Sequence, residues 1–226
     1  MQDLPTNLSD FASSTRAAGA PKQLSTFLSV RTRALAVATC FLIVTCYSSL
    51  SMPIGSSVVL ATAVCAGLGL GSFPRSFRSV VTPCWARSLI VALGSGEATI
   101  LVMVPRLNLA AIMVLRLGMI VGLLGCYSVI KLGCFRMGCC RGRRLIIGIP
   151  LQVFEAVLTM AIVWVVNLLW ITKGSATCGV GVAMSAHGLL RLIAAFNRPF
   201  PCVLSWIQAW TFSCAGVGLL MITQSP

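Results

Sequence analysis

The chain has 226 residues, of which 58% are hydrophobic and only 9% are charged. A soluble domain usually carries about a quarter charged residues, so this composition excludes a water-soluble surface and predicts a polytopic membrane protein. The 17 basic residues outnumber the 4 acidic ones, which gives a net charge of +13. Most basic residues lie in short segments between apolar runs, a placement that favours anionic membrane lipid, and not nucleic acid, as the partner.

Residues 1–33 are polar and rich in serine, threonine and basic residues, so we expect a disordered N-terminal tail. The remainder, 34–226, is predicted to form one all-α transmembrane bundle of about seven spans, because a span needs roughly 20 apolar residues and its backbone must be hydrogen-bonded within the segment. Glu97 interrupts the third run, and ionisable groups are costly within a span. The apolar runs lie near Leu35–Met52, Ser56–Phe73, Ser88–Val104, Leu107–Ile130, Leu151–Ile171, Ala176–Phe196 and Cys202–Ile222.

Six of the 11 cysteines fall inside apolar runs, and we expect them to pack as small buried hydrophobes. They are Cys40, Cys46, Cys65, Cys126, Cys178 and Cys214. Paired C-x-x-C motifs are absent, so the sequence predicts no zinc site and no cofactor. A metal handler or small transporter built on Cys134, Cys139 and Cys140 is a further hypothesis.

A cationic, glycine-spaced segment follows the fourth apolar run, from Lys131 to Arg144, and is predicted to be a connector at the membrane boundary. Glycine lets backbone approach a ligand closely, and guanidinium groups bind phosphate through paired hydrogen bonds. The segment therefore predicts a lipid phosphate site. The alternative is a positively charged connector that serves only topology.

Ionisable residues also occur inside the later runs. Gln152 and Glu155 are three residues apart and share a helical face, as do His187 and Arg191, which are four apart. A histidine can serve as a general base near neutral pH, although a hydrogen-bonded interior histidine is equally consistent with this spacing. Arg191 requires an anionic partner, because an unpaired buried guanidinium is costly.

These segments together resemble the prolipoprotein diacylglyceryl transferases over about residues 120–222. The Lys131–Arg143 sequence, K-L-G-C-F-R-M-G-C-C-R-G-R, is similar to the family's glycine-rich signature R-x-G-C-F-x-x-G-C-C-x-G-R. P-L-Q-V-F-E at 150–155 resembles its P-x-Q-L-Y-E motif. H-G-L-L-R at 187–191, followed by F-N-R-P, resembles its Y-G-x-x-R-F-x-x-E-F-x-R stretch.

The resemblance implies a seven-span enzyme of the bacterial cytoplasmic (inner) membrane that needs no cofactor. Such an enzyme transfers the diacylglyceryl group of phosphatidylglycerol to the lipobox cysteine thiol of prolipoproteins, which are its partner substrates. It implies catalytic roles for Arg191, His187 and Lys131. It also implies a phospholipid headgroup site made of Lys131, Gly133, Gly138, Gly142, Arg143, Gln152, Glu155 and Arg198.

The chain departs from the family pattern at several positions. Lys131 replaces the first arginine of the signature, His187 replaces a tyrosine, Ala195 replaces a glutamate, and the family's upstream H-G-G segment is absent. These departures favour an alternative, a catalytically inactive homologue that binds anionic phospholipid. Topology is also open, because the distribution of basic residues predicts the N-terminus inside whereas the resemblance implies that it lies outside.

Overall fold

The computed structural model contains seven α-helices and no strand among the residues that it describes. It describes the backbone of residues 22–72, 85–103, 105, 107–136, 149–197 and 203–224, and the side chains of 31–70, 88–103, 105, 107–136, 149–197 and 209–220. The predicted all-α class is confirmed over this part of the chain. The helices are α1 (Lys22–Ser49), α2 (Ile54–Ser72), α3 (Trp85–Met103), α4 (Leu109–Arg136), α5 (Leu151–Lys173), α6 (Ala176–Phe196) and α7 (Val203–Gln224).

Four helices are long and apolar enough to cross a membrane, namely α4, α5, α6 and the Arg31–Ser49 part of α1. The described apolar parts of α2, α3 and α7 are shorter, so this criterion supports four spans where the sequence predicted about seven. Large apolar side chains such as Val102, Ile171 and Phe196 are exposed, while Glu155 and Arg191 are buried. This distribution is that of a membrane protein, because apolar side chains face lipid and ionisable ones face the bundle interior.

Two helix boundaries differ from the sequence predictions. The helix α1 begins at Lys22, so the segment 22–33, predicted to be disordered, is helical. The helix α4 continues to Arg136, so Lys131–Arg136 is the end of a helix where a connector was predicted. The sequence suggested that the span ended before Lys131 because lysine is charged, but Lys131 is buried and paired and the helix carries it inside the bundle.

Small residues such as Gly67 and Gly181 allow close approach of the helices. A methyl group built at Gly67 would lie 2.7 Å from the Ala92 Cα of α3, and one at Gly181 would lie 2.9 Å from Leu220 of α7. Gly69, by contrast, has open space beside it. Close contacts of this kind replace the hydrophobic driving force that is absent between helices in lipid.

A tight turn makes α5 and α6 antiparallel neighbours. Gly174 ends α5 in the left-handed conformation, with φ 65°, and its N–H donates a hydrogen bond of 2.8 Å to the Trp170 carbonyl. Ser175 caps the start of α6 by accepting a hydrogen bond from the Cys178 N–H at 3.2 Å. Glu155 on α5 and Arg191 on α6 are separated from this turn by similar numbers of residues. Because the two helices are antiparallel, both residues lie at the same height in the bundle.

The cysteines within the helices are only partly buried. Cys40 and Cys126 are buried, as predicted, but Cys46 and Cys214 are exposed and Cys65 and Cys178 are intermediate. The prediction was wrong for the exposed pair because an apolar run shows that a residue lies in a span without showing which face of the helix it occupies. Within the described ranges, no three His, Cys, Asp or Glu side chains are grouped as metal ligands.

Candidate functional site

Four buried polar side chains meet where α4, α5 and α6 pack together. Tyr127 and Lys131 are four residues apart on α4 and share a face of that helix, Glu155 comes from α5 and Arg191 from α6. None of the four is more than 4% exposed. We call Tyr127, Lys131, Glu155 and Arg191 the charged cluster.

The Glu155 carboxylate is the centre of this cluster. Its Oε2 accepts a hydrogen bond from Lys131 Nζ at 2.6 Å. Its Oε1 accepts from the Tyr127 hydroxyl at 2.7 Å and from Arg191 Nη1 at 3.1 Å. The Tyr127 hydroxyl in turn accepts from Arg191 Nη1 at 2.6 Å. Three helices are therefore joined through one carboxylate and one phenol.

The charged cluster contains two basic side chains, Lys131 and Arg191, and one carboxylate, that of Glu155. Burial makes each charge costly unless it is paired and hydrogen-bonded, and Glu155 compensates one positive charge of the two. The Tyr127 ring adds a weaker attraction, because Lys131 Nζ lies 5.1 Å and Arg191 Cζ lies 5.5 Å from its centroid. Among the described residues, the cluster therefore combines two basic side chains with one acidic side chain.

The charged cluster lies near one end of the bundle. Lys131 is close to the end of α4 at Arg136, Glu155 is close to the start of α5, and Arg191 is close to the end of α6 at Phe196. At 1.5 Å of rise per residue, each side chain begins roughly 6–8 Å from the end of its helix.

His187 lies beside the cluster without joining it. Its ring contacts the Tyr127 ring edge-on, with centroids 5.1 Å apart, and it is 1% exposed. Neither ring nitrogen has a hydrogen-bond partner among the residues that the structure describes. The imidazole borders a small apolar cavity lined by Leu89, Leu93, Ile120, Leu123, Leu124 and Phe212. The residue predicted to be a base therefore has an apolar environment on the side away from Tyr127.

The other residues predicted for the headgroup site are not all brought to the cluster. Gln152 is buried one turn before Glu155 on α5. Gly133 instead packs against Thr32 of α1, so it serves a contact between helices and not the backbone approach to a headgroup that we predicted. The helical spacing explains why Gly133 does not face the cluster, because it lies two residues beyond Lys131 and therefore on another face of α4. The remaining four, Gly138, Gly142, Arg143 and Arg198, lie outside the described residues.

Sequence reasoning missed Tyr127, which is the only side chain that bridges Glu155 and Arg191 among the described hydrogen bonds. A signal was present, because the chain has only 2 tyrosines and this one lies one helical turn before Lys131. A polar side chain one helical turn from a charged residue lies on the same face of the helix, so it can hydrogen-bond the same counter-ion, as Tyr127 and Lys131 both bond Glu155.

A second ion pair, which we call the outer pair, joins Glu97 of α3 to Arg116 of α4. Arg116 Nε lies 3.1 Å from both carboxylate oxygens, and Nη2 lies 2.8 Å from Oε2. Both side chains are about one-third exposed. The sequence indicates this pair by placing opposite charges, Glu97 and Arg116, in consecutive apolar runs. Pairing lowers the free-energy cost of holding each charge within a span.

No family model, curated protein or solved structure matches this chain.

Proposed function

We propose that this protein is a membrane transferase similar to the prolipoprotein diacylglyceryl transferases, with all seven helices crossing the bacterial cytoplasmic membrane. One observation carries the proposal. Three motifs that are far apart in the sequence contribute Lys131, Glu155 and Arg191, and the Glu155 carboxylate is in direct contact with both basic side chains.

The proposed reaction forms a thioether and releases a phosphate ester. The sulfur of the lipobox cysteine attacks the carbon of the diacylglyceryl unit that carries the phosphate ester in phosphatidylglycerol. The bond from that carbon to the phosphate oxygen breaks, and glycerol phosphate leaves with the bonding electrons. The thiol proton passes to a base. Negative charge that develops on the departing phosphate is stabilised by preorganised cations, and Lys131 and Arg191 are the candidates.

Glu155 and Tyr127 act on those cations in this proposal. The carboxylate and the phenol hold Lys131 and Arg191 in fixed positions through bonds of 2.6–3.1 Å. A fixed cation stabilises developing charge without reorganising at the moment of reaction. In this proposal Lys131 and Arg191 are the two basic side chains that face the departing phosphate.

The experiment is a transfer assay with labelled phosphatidylglycerol and a lipobox peptide, in membranes that contain no other such enzyme. We expect a thioether product from the wild-type chain and none from Arg191→Ala. Arg116→Ala is the matched control, because it removes an arginine from a span without touching the charged cluster. Absence of product from the wild type would refute the transferase.

A second candidate is a non-catalytic scaffold that binds anionic phospholipid through the same cluster. The environment of His187 favours it, since a buried imidazole beside an apolar cavity is poorly placed to receive a proton from a substrate thiol. Phosphatidylglycerol that stays bound through purification, without product in the transfer assay, would support the scaffold. Transfer that is lost in His187→Ala but retained in His187→Gln would instead indicate a hydrogen-bonding role within an active enzyme.

A further inference from the structure

Three aromatic side chains from three helices form a row that ends at the charged cluster. Tyr127 of α4 lies against His187 of α6, with ring centroids 5.1 Å apart and ring planes at 86°. His187 lies in turn against Phe212 of α7, with centroids 6.0 Å apart and planes at 65°. Both are edge-to-face contacts, which aromatic rings favour over direct face-to-face stacking. We call Tyr127, His187 and Phe212 the aromatic row.

The middle member of this row contributes ring surface. His187 is 1% exposed, and its two nitrogens bond nothing within the part of the chain that the structure describes. A neutral imidazole carries one donor and one acceptor, and a buried polar group that stays unbonded costs free energy. The cavity beside the ring is lined by apolar side chains of α3, α4 and α7. The contacts that the described structure gives to His187 are therefore those of an aromatic ring.

Close packing of α6 on α7 sets the contact between His187 and Phe212. A methyl group built at Gly188 would lie 2.6 Å from the Ser213 backbone nitrogen and 2.9 Å from the Ala209 carbonyl oxygen. Backbones can approach this closely only where a small residue stands at the crossing. His187 precedes Gly188 and Phe212 precedes Ser213, so the same crossing fixes the height of one ring against the other.

The Tyr127 hydroxyl has to meet two partners at once. It donates a hydrogen bond to Glu155 Oε1 at 2.7 Å and accepts one from Arg191 Nη1 at 2.6 Å. Hydrogen bonds weaken steeply as they bend or lengthen, so the phenol must keep one orientation. The edge-on contact with His187 restricts the movement of the Tyr127 ring. This contact comes from the face of α6 that also carries Arg191, four residues later.

We propose that His187 is a positioning residue that holds the Tyr127 ring through aromatic contact, with Phe212 supporting it from α7. This role requires a ring at position 187, and it requires neither a proton acceptor nor a hydrogen-bond donor there. The consequence for lipid transfer rests on the proposed function, whereas the consequence for Tyr127 does not. Through Phe212, α7 takes part in ordering the charged cluster.

The test observes Tyr127 directly, because the chain has only 2 tyrosines. The full chain is prepared in detergent with tyrosine labelled with carbon-13 at both ring carbons next to the hydroxyl-bearing carbon, and Tyr47→Phe removes the signals of the other tyrosine. A held ring gives separate NMR signals for the two carbons, and a ring that flips rapidly gives one averaged signal. We expect separate signals in the wild type, one averaged signal in His187→Ala, and separate signals again in His187→Phe.

Two further measurements accompany the NMR spectra. The unfolding temperature of His187→Phe should be about 2–4 °C above that of the wild type, because a phenyl ring has no buried polar atom to leave unbonded. In the transfer assay, His187→Ala should lower kcat roughly 10- to 100-fold with little change in KM, since a displaced group that does not itself bind substrate has this effect. His187→Phe should restore most of that loss.

Trp170→Ala is the matched control, because Trp170 stacks on the other tyrosine, Tyr47, with ring centroids 5.1 Å apart. In the chain with both tyrosines it should change the Tyr47 signals and leave those of Tyr127 separate.

His187→Gln keeps a donor and an acceptor without a ring. Separate Tyr127 signals in His187→Gln together with an averaged signal in His187→Phe would overturn the proposal in favour of hydrogen bonding, as would a lower unfolding temperature of His187→Phe. Separate signals in His187→Ala would also overturn it, and the Phe and Gln variants decide the question even if the Ala variant does not accumulate. A ring held by His187 in a chain that makes no thioether refutes only the transferase. Transfer by a chain whose Tyr127 ring is unaffected by His187 refutes only the positioning role.

Discussion

The helix α4 carries two ionic sites that differ in almost every respect. The charged cluster at Lys131 is fully buried and joins α4 to α5 and α6, whereas the outer pair at Arg116 is one-third exposed and joins α4 to α3. Fifteen residues separate the two basic side chains along the helix, about 22 Å at 1.5 Å per residue. They therefore lie toward opposite ends of the same helix.

The difference shows why a charge within a span is not sufficient to identify a site. Glu97 and Arg116 form a one-to-one pair in which both carboxylate oxygens are engaged, so the outer pair carries no net charge. The charged cluster has one carboxylate between two cations. Both arrangements satisfy the requirement that charges in a membrane be paired, and the two sites differ in the ratio of basic to acidic side chains.

The largest expected effect follows from Glu155→Gln. This change leaves Lys131 and Arg191 buried without their carboxylate, and breaking a buried ion pair from one side typically costs about 3–5 kcal/mol. Thermal unfolding in detergent should show a large loss of stability. Unfolding at the wild-type temperature would contradict the role of Glu155 as the common counter-ion.

Arg191→Ala should affect transfer more than stability. Glu155 keeps its bond to Lys131, so the protein should still accumulate in the membrane. Loss of one preorganised group that stabilises developing charge typically lowers kcat about 100- to 1,000-fold. Wild-type turnover in the labelled phosphatidylglycerol assay would exclude Arg191 from the site.

Tyr127→Phe should have an intermediate effect, because it removes the hydroxyl but leaves the direct contact of Arg191 with Glu155. Loss of a buried hydrogen-bond partner costs about 1–3 kcal/mol. Thermal unfolding and lipid transfer should both be measured for this variant. Tyr47→Phe is the control, because the Tyr47 hydroxyl donates a hydrogen bond to Asn167 away from the cluster. This control should lower stability without altering transfer.

The smallest effect is expected from Glu97→Gln. Interhelical polar contacts in membranes average about 0.6 kcal/mol and reach about 1.7. Arg116 is long and partly exposed, so it can extend its guanidinium toward the interface once its partner is neutral. Stability should fall by roughly that amount and transfer should not change. A loss as large as that of Glu155→Gln would remove the distinction between the two sites.

The positions of the helices were largely predictable from the sequence, whereas their ends were not. Each of the seven apolar runs coincides with a helix, because a segment in lipid must bond its own backbone. The predicted end is wrong where a charged residue marks it, as at Lys131. A paired charge can continue a span, and pairing depends on a residue elsewhere in the chain.

By itself, the sequence determined that the described chain is helical and that Lys131, Glu155 and Arg191 are exceptional, because ionisable groups among apolar residues require compensation. Only the tertiary structure decided that Glu155 is the common partner of the two basic side chains, that Tyr127 bridges Glu155 and Arg191, and that Gly133 faces α1. The reason is physical. Periodicity assigns a side chain to a face of its own helix, but the packing of helices decides what that face meets.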